Sequence, residues 1–275
     1  MNLELIKNLL SEEKASTDVF KRNIASQYLQ VLALDFIYRN PKYQNLVFYG
    51  GSCLKHCYGL NRLSEDLDFV DIKKNIDIEE LAEEIKKYFK KDIGLEIKTK
   101  IQKFRVYLKF PILFELGLAK QGESDFLFLK IEIFKGFDSC EKKAKIEILP
   151  LFKHGKSVLI RAFNLSTLMS TKIRAVLQRK WEQSDKQGNV IIKVKGRDYF
   201  DLMWYLNKGV EPNLDCIKEI KDIEALKIKL INQVKKIDQR SIQLDLLALI
   251  KDAEFVENLS KNIKDILIDL INSKL

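Results

Sequence analysis

A nine-residue run, Phe126-Leu127-Phe128-Leu129-Lys130-Ile131-Glu132-Ile133-Phe134, constrains this chain more than any other segment, because only Lys130 and Glu132 interrupt its apolar character. A strand that does not alternate is predicted to lie centrally in a sheet, apolar on both faces. Such a sheet needs helices packed on it. The sequence supplies them. Phe20, Ile24, Tyr28, Val31 and Leu32 recur at helical spacing, and the pattern continues to Tyr38 before Asn40-Pro41 breaks it. Leu46–Tyr49 reads as a short buried strand ended by Gly50-Gly51, with Ser52 as N-cap of a helix reaching Tyr58. Strands are predicted at Asp66–Val70, Leu95–Ile101, Phe104–Phe110, Lys145–Leu149 and Val158–Ile160, with a helix over Ile78–Phe89. Helices are predicted over Leu165–Lys180 and Asp198–Asn207, and amphipathic helical patterns fill the chain from Leu214 onward. The expected fold class is α+β: a mixed sheet flanked by helices over residues 1–155, then a mainly helical domain over 156–275.

Charge narrows the partners. The 275 residues carry a formal net charge of +9. Between Leu151 and Lys208 there are 12 basic residues (among them Lys172, Arg174, Arg179, Lys180, Lys186 and Arg197) against four acids, Glu182, Asp185, Asp198 and Asp201. A concentrated positive field attracts nucleotides and RNA; a solvated surface is the plainer reading. Four cysteines without a C-x-x-C pair, and only two histidines, argue against zinc and against a disulfide scaffold. Met1–Leu10 lacks the apolar core of a secretion signal, and the apolar stretches are too short or too interrupted to span a bilayer. The expected location is the cytoplasm, with no membrane partner.

The chemistry concentrates in Gly50-Gly51-Ser52 followed by Arg62-Leu63-Ser64-Glu65-Asp66-Leu67-Asp68-Phe69, with thirteen residues between Ser52 and Asp66. Side chains alternate along a strand, so Asp66 and Asp68 share a face while Leu67 and Phe69 enter the core. Two close carboxylates repel unless a cation lies between them, and an all-oxygen pair suits Mg²⁺, with Mn²⁺ as the alternative. Glycines without Cβ atoms let backbone N–H groups approach a phosphate, a helix N-terminus favours negative charge, and the Ser52 hydroxyl is placed to donate to a phosphate oxygen. Glu132, the one carboxylate in the apolar run, needs a partner. That partner is either a metal shared with Asp66 and Asp68, or Lys130 two residues away on the same face. A phosphate cradle beside a metal pair is what transfer of a nucleotidyl group from an NTP requires.

These residues resemble the first motif of the AbiEii/AbiGii-type nucleotidyltransferases, toxins of type IV toxin–antitoxin and abortive-infection systems. Lys172-Ile173-Arg174-Ala175, with Arg179 beyond, resembles the lysine-bearing helix of that family, and Arg197-Asp198-Tyr199-Phe200-Asp201-Leu202 resembles its RD-x-x-D-L helix. The matches span about residues 46–206. The resemblance implies a polymerase β-like core, Mg²⁺, an NTP substrate, an RNA acceptor with tRNA first, inhibition of growth or translation, and a cognate antitoxin. It further implies that Asp66, Asp68 and Glu132 hold the metal. Gly50, Gly51, Ser52, Arg62 and Lys172 would hold the nucleotide, and Asp198 would orient Lys172. A protein hydroxyl as acceptor, an AMPylase-like activity, is one alternative. A non-catalytic NTP- or RNA-binding module is the other. For Lys172 alone the plainer reading is a snorkelling lysine, and for Asp198 a helix-dipole contact.

Overall fold

The computed structural model describes residues 3–13, 16–137, 140, 143–179, 181–185, 187–218 and 220–275; Lys180 and Lys186 of the basic segment lie outside them. The chain divides into two compact units, Met1–Phe137 with Ile146–Ala162, and Asp138–Lys145 with Phe163–Leu275. Residue 155, the expected boundary, lies in the turn between two strands of the first unit.

The first unit is built on a seven-stranded mixed sheet in the order β3-β4-β5-β2-β1-β7-β6. Its elements are α1 (Glu4–Ser11), α2 (Asp18–Arg39), β1 (Val47–Tyr49), α3 (Gly50–Cys57), β2 (Leu67–Asp71), α4 (Ile78–Tyr88), β3 (Lys98–Gln102), β4 (Arg105–Pro111), β5 (Phe126–Lys135), β6 (Ile146–Lys153) and β7 (Lys156–Phe163). β1 runs antiparallel to β2 and parallel to β7, β2 parallel to β5, and β3, β4 and β5 antiparallel in sequence. The last two strands are longer than the sequence pattern suggested. His154 and Gly155 both take positive φ, 50° and 71°, a turn that matches the twist of a tight hairpin.

Local chemistry sets the helix ends. Thr17 accepts from Phe20 N to cap α2, and Asp77 accepts from Glu79 N and Glu80 N to cap α4. α2 is buried without a break from Ala25 to Tyr38, so it is a core helix rather than an amphipathic one. Phe48 and Phe69, register partners on β1 and β2, stack with ring centroids 5.1 Å apart, and Tyr38 of α2 lies over Phe69. Each fully buried phenylalanine contributes about 2–3 kcal/mol of transfer free energy.

One expectation changes here. Leu127, Leu129, Ile131 and Ile133 of β5 are buried, as are Val106, Leu108 and Phe110 of β4. The opposite parity of β5 is not covered throughout: Phe128 is 50% exposed. An unbroken apolar run signals burial on both faces only when both faces receive a helix; here Phe126 and Phe128 keep one side partly open.

The second unit is mainly helical. It contains α5 (Leu165–Gln178), α6 (Gly196–Asn207), α7 (Ile223–Val234), α8 (Gln239–Leu246) and α9 (Ala253–Lys274), with a small hairpin of β8 (Gln183–Ser184) and β9 (Val190–Ile192). Asn164, Asp222, Asp238 and Asp252 each cap a following helix with a side-chain oxygen. A Cβ on Gly196 would stand 2.9 Å from the Ile242 backbone, so glycine permits the close α6–α8 crossing. Cys140 and Cys216 pair as a disulfide, a single bridge and not the disulfide scaffold that the sequence argued against. Cys53 is buried and free. Among the described residues no helix is long and apolar enough to cross a membrane.

Candidate functional site

The glycine turn has no slack. β1 ends at Tyr49, α3 begins at Gly50, and Gly50 has φ +79°. Tyr49 pairs with Asp68 across the β1–β2 ladder, which brings the Asp68 carboxylate against the turn. A Cβ on Gly50 would lie 2.4 Å from Asp68 Oδ2, and one on Gly51 would lie 2.8 Å from both Arg62 Nη2 and Ser64 Oγ. Gly50 therefore needs both its backbone freedom and its missing side chain. The first N–H groups of α3 have no intrahelical acceptors, so this end of the helix favours an anion.

Ser52 and Arg62 are placed differently from the sequence expectation. α3 starts two residues before Ser52, which sits inside the helix, fully buried, with its hydroxyl donating to the Asp66 carbonyl. Arg62 is 2% exposed; it packs on Gly51 and donates through Nη1 to the Leu63 carbonyl at 2.7 Å. Both side chains build the turn and the loop into β2 and do not project from it. Two buried glutamines that the sequence reading passed over do the same. Gln27 and Gln30 of α2 each donate to the Ser64 carbonyl at 2.8 Å, and Gln30 also reaches the Glu65 carbonyl at 3.1 Å. Their signal was polar residues inside a helix that is otherwise core. These bonds satisfy backbone acceptors that would otherwise be stranded beneath the loop and fix where Asp66 emerges.

The carboxylates form a block on one face. β2 and β5 are parallel with Asp68 opposite Glu132, so Asp66, Asp68, Lys130 and Glu132 share one parity of the sheet. Lys130 Nζ is 2.9 Å from Asp66 Oδ2 and 2.9 Å from Glu132 Oε1, and Arg105 Nε donates to Glu132 Oε1 at 2.6 Å. Burial pushes Asp66 above the usual carboxylate range, and Lys130 only partly offsets it. Burial also acts to raise Glu132, but Lys130 and Arg105 outweigh it and hold that carboxyl below its usual range. Lys130 is itself raised: burial opposes its charge, while Asp66 and Glu132 favour it. The salt-bridge alternative for Glu132 is thus present, with Arg105 as an additional partner.

Among the described residues, no three His, Cys, Asp or Glu side chains converge closely enough to hold a metal ion as they stand. The donor chemistry nevertheless fits a hard cation. Asp66 and Asp68 supply oxygens from one face beside the glycine turn. Burial holds the Asp66 carboxyl above its usual range even with Lys130 present, so a further cation beside it would favour its charged form.

In the second unit, Lys172 Nζ is 2.7 Å from Asp198 Oδ1 and 2.8 Å from Asp201 Oδ2, and Arg179 Nη1 is 2.6 Å from Asp198 Oδ2. Both aspartates are buried, Asp201 completely. The i, i+3 spacing on α6 puts the two carboxylates on one face, where they clamp the lysine of α5. Asp201, which the sequence reading weighted below Asp198, is an equal partner. Arg197 forks onto Asp245 of α8 and ties the start of α6 in place.

A family model described as the AbiEii nucleotidyl transferase toxin of type IV toxin–antitoxin systems matches residues 33–274. Among solved structures, MenT4, a nucleotidyltransferase toxin from Mycobacterium tuberculosis, is similar at TM-score 0.60 and 12% identity, covering 97% of this chain and 89% of that one. JHP933 from Helicobacter pylori is 18% identical over 91% of this chain and 93% of its own, at TM-score 0.48. Comparison with curated protein sequences returns no match.

Proposed function

The chain belongs to the AbiEii nucleotidyltransferase toxin family, and on that premise we propose that it transfers a nucleoside monophosphate from an NTP to a hydroxyl of RNA, with tRNA first among acceptors. The acceptor oxygen bonds to the α-phosphorus, the bond to the β-phosphate oxygen breaks, and pyrophosphate leaves. The hydroxyl proton passes to the carboxylate block, where Asp68 and Glu132 face each other across the β2–β5 ladder. One observation carries this reading: the Asp68 carboxylate is packed against a glycine turn that opens directly into a helix N-terminus. A triphosphate at that turn would meet the first backbone N–H groups of α3 and the carboxylates together. Mg²⁺, when bound by Asp66 and Asp68, would neutralise the developing phosphate charge; Glu132 completes the set only by releasing Lys130 or Arg105. As the family resemblance implies, Lys172, clamped by Asp198 and Asp201 within the second unit, is proposed to bind NTP as a point charge. The activity would arrest growth, and a cognate antitoxin would relieve it.

The test is incubation with each labelled NTP, Mg²⁺, and total RNA plus protein extract. Label should enter RNA, and Asp66→Ala or Asp68→Ala should reduce incorporation at least 100-fold while urea unfolding stays cooperative. Growth arrest on expression should vanish in the same variants. Label on protein would favour the AMPylase-like alternative. Arrest that survives both substitutions would favour a binding module without chemistry.

A further inference from the structure

Unpaired charge in the first unit also gathers outside the stretch where the sequence is most basic. The β3–β4–β5 ladder pairs Lys98 with Lys109, Lys100 with Tyr107, Lys109 with Phe128, Tyr107 with Lys130, and Arg105 with Glu132. Paired residues share a face. One side of these three strands therefore carries Lys98, Lys100, Lys109, Tyr107, Phe126 and Phe128, in line with the carboxylate block. The other side carries Val106, Leu108, Phe110, Leu127, Leu129 and Ile131, all buried. Away from the salt-bridged block of Asp66, Lys130, Glu132 and Arg105, the open side is not core. Among the described residues, Lys98, Lys100 and Lys109 have no carboxylate within ion-pair distance. Instead, Lys98 Nζ lies 5.2 Å from the Phe126 ring and Lys109 Nζ 5.6 Å from the half-exposed Phe128 ring.

We infer that this sheet face is the platform for the acceptor, and that the acceptor presents itself there as a single strand whose free end reaches the Asp68–Glu132 pair. The inference rests on the RNA-transfer reading above. Three arguments carry it. Lysines without acidic partners, spaced along two strands, complement a phosphate backbone. The half-exposed Phe128 ring, with the partly exposed Phe126 beside it, gives unpaired bases a surface to stack on, which a duplex cannot use because its bases are already stacked. The platform is also continuous with the chemistry: at ~3.3 Å per residue, Phe128 lies ~13 Å and Phe126 ~20 Å along β5 from Glu132. A strand laid over them thus runs towards the carboxylates. Nothing in this face distinguishes ribose from deoxyribose, so both sugars should bind.

The test uses the full chain, without NTP, and fluorescence anisotropy of a labelled single-stranded RNA, the matching single-stranded DNA, and the blunt RNA duplex. Both single strands should bind more tightly than the duplex. The triple variant Lys98→Ala/Lys100→Ala/Lys109→Ala should weaken single-strand binding at least tenfold and flatten the log–log salt slope by about 2, at ~0.7 per phosphate contact. Phe128→Ala should weaken it about tenfold with the salt slope unchanged. Lys264→Ala/Lys274→Ala on α9 removes one half-buried and one exposed lysine elsewhere and should change neither. NTP affinity should be equal in all variants. Tighter duplex binding, or platform variants that bind as the parent does, overturns the inference. Labelled-NTP incorporation into RNA is measured in parallel with Asp68→Ala as its zero, so RNA transfer that persists in platform variants with undiminished efficiency refutes the platform alone. A parent protein that labels no RNA refutes the transfer reading.

Discussion

Gly50→Ala and Gly59→Ala form a matched pair, because both glycines have φ +79° while only one is crowded. An L-residue in the left-handed region costs about 1–2 kcal/mol, and the narrower unfolded ensemble of alanine returns about 0.4–1 kcal/mol. Backbone strain alone should therefore cost each variant about 0–1.6 kcal/mol in urea titrations. The alanine methyl at Gly59 meets nothing within 4 Å. At Gly50 it would stand 2.4 Å from Asp68 Oδ2, where ordinary contact begins near 3.4 Å, so the carboxylate must retreat by about 1 Å. A displacement of that size at a reacting group costs about 100-fold in rate. Labelled-NTP incorporation should thus fall about 100-fold in Gly50→Ala and stay within about twofold of the parent in Gly59→Ala. Equal activities in the two variants would show that the turn does not position Asp68. Equal large losses would show that backbone strain, not proximity to the carboxylate, governs activity.

Two further predictions concern buried charge. Lys172→Met removes a cation shared by Asp198 and Asp201 and should destabilise the second unit by about 3–5 kcal/mol, the usual effect of stranding a buried partner. Lys172→Met/Asp201→Leu should recover much of that stability, since Asp198 retains Arg179, without recovering NTP use. If stability and NTP use return together, the lysine is structural. His56 is lowered to about 3 by burial, with Lys153, Lys55 and His154 adding repulsion. Its Nε2–H donates to Gln30 Oε1 at 2.9 Å in the tautomer that this acceptor requires. Because the folded value lies below the unfolded one, stability is complete above pH 6.5 and falls as pH drops towards the folded value. The loss should be about 1–2 kcal/mol between pH 7 and pH 5, and it should be absent in His56→Asn. Identical pH profiles for the two proteins would contradict this assignment.

What could be read from the sequence, and what could not, divides along one physical line. Features set by neighbours in the chain were legible. The i, i+2 spacing of Asp66 and Asp68 places them on one face whatever lies beyond, and Gly50-Gly51 announces a close approach before its partner is known. Asp198 and Asp201 share a helix face by spacing alone. Features set by pairing between distant segments were not legible. Whether Glu132 meets a metal or a cation depends on β4 delivering Arg105 opposite it, which no periodicity in β5 encodes. Ser52 and Arg62 have the residue types of phosphate ligands, but the loop over residues 58–66 folds back on α3 and takes up both. Gln27 and Gln30 sit in a helix buried on every side, so no amphipathic pattern marked them as support for Ser64.

The platform lysines show the same divide for charge. Twelve basic residues between Leu151 and Lys208 dominate any window count, yet Lys172, Arg179 and Arg197 of that segment face buried aspartates. Lys98, Lys100 and Lys109 alternate with apolar residues and so look unremarkable in a window. It is the alternation that puts all three on one side of a sheet, and the antiparallel register that lines them up with Phe126 and Phe128. Charge density along the chain measures how many lysines are present; charge available to a polyanion is what remains after the fold has assigned partners. For this protein the second measure brings in Lys98, Lys100 and Lys109, on the strand face that runs into Glu132, which a window count passes over.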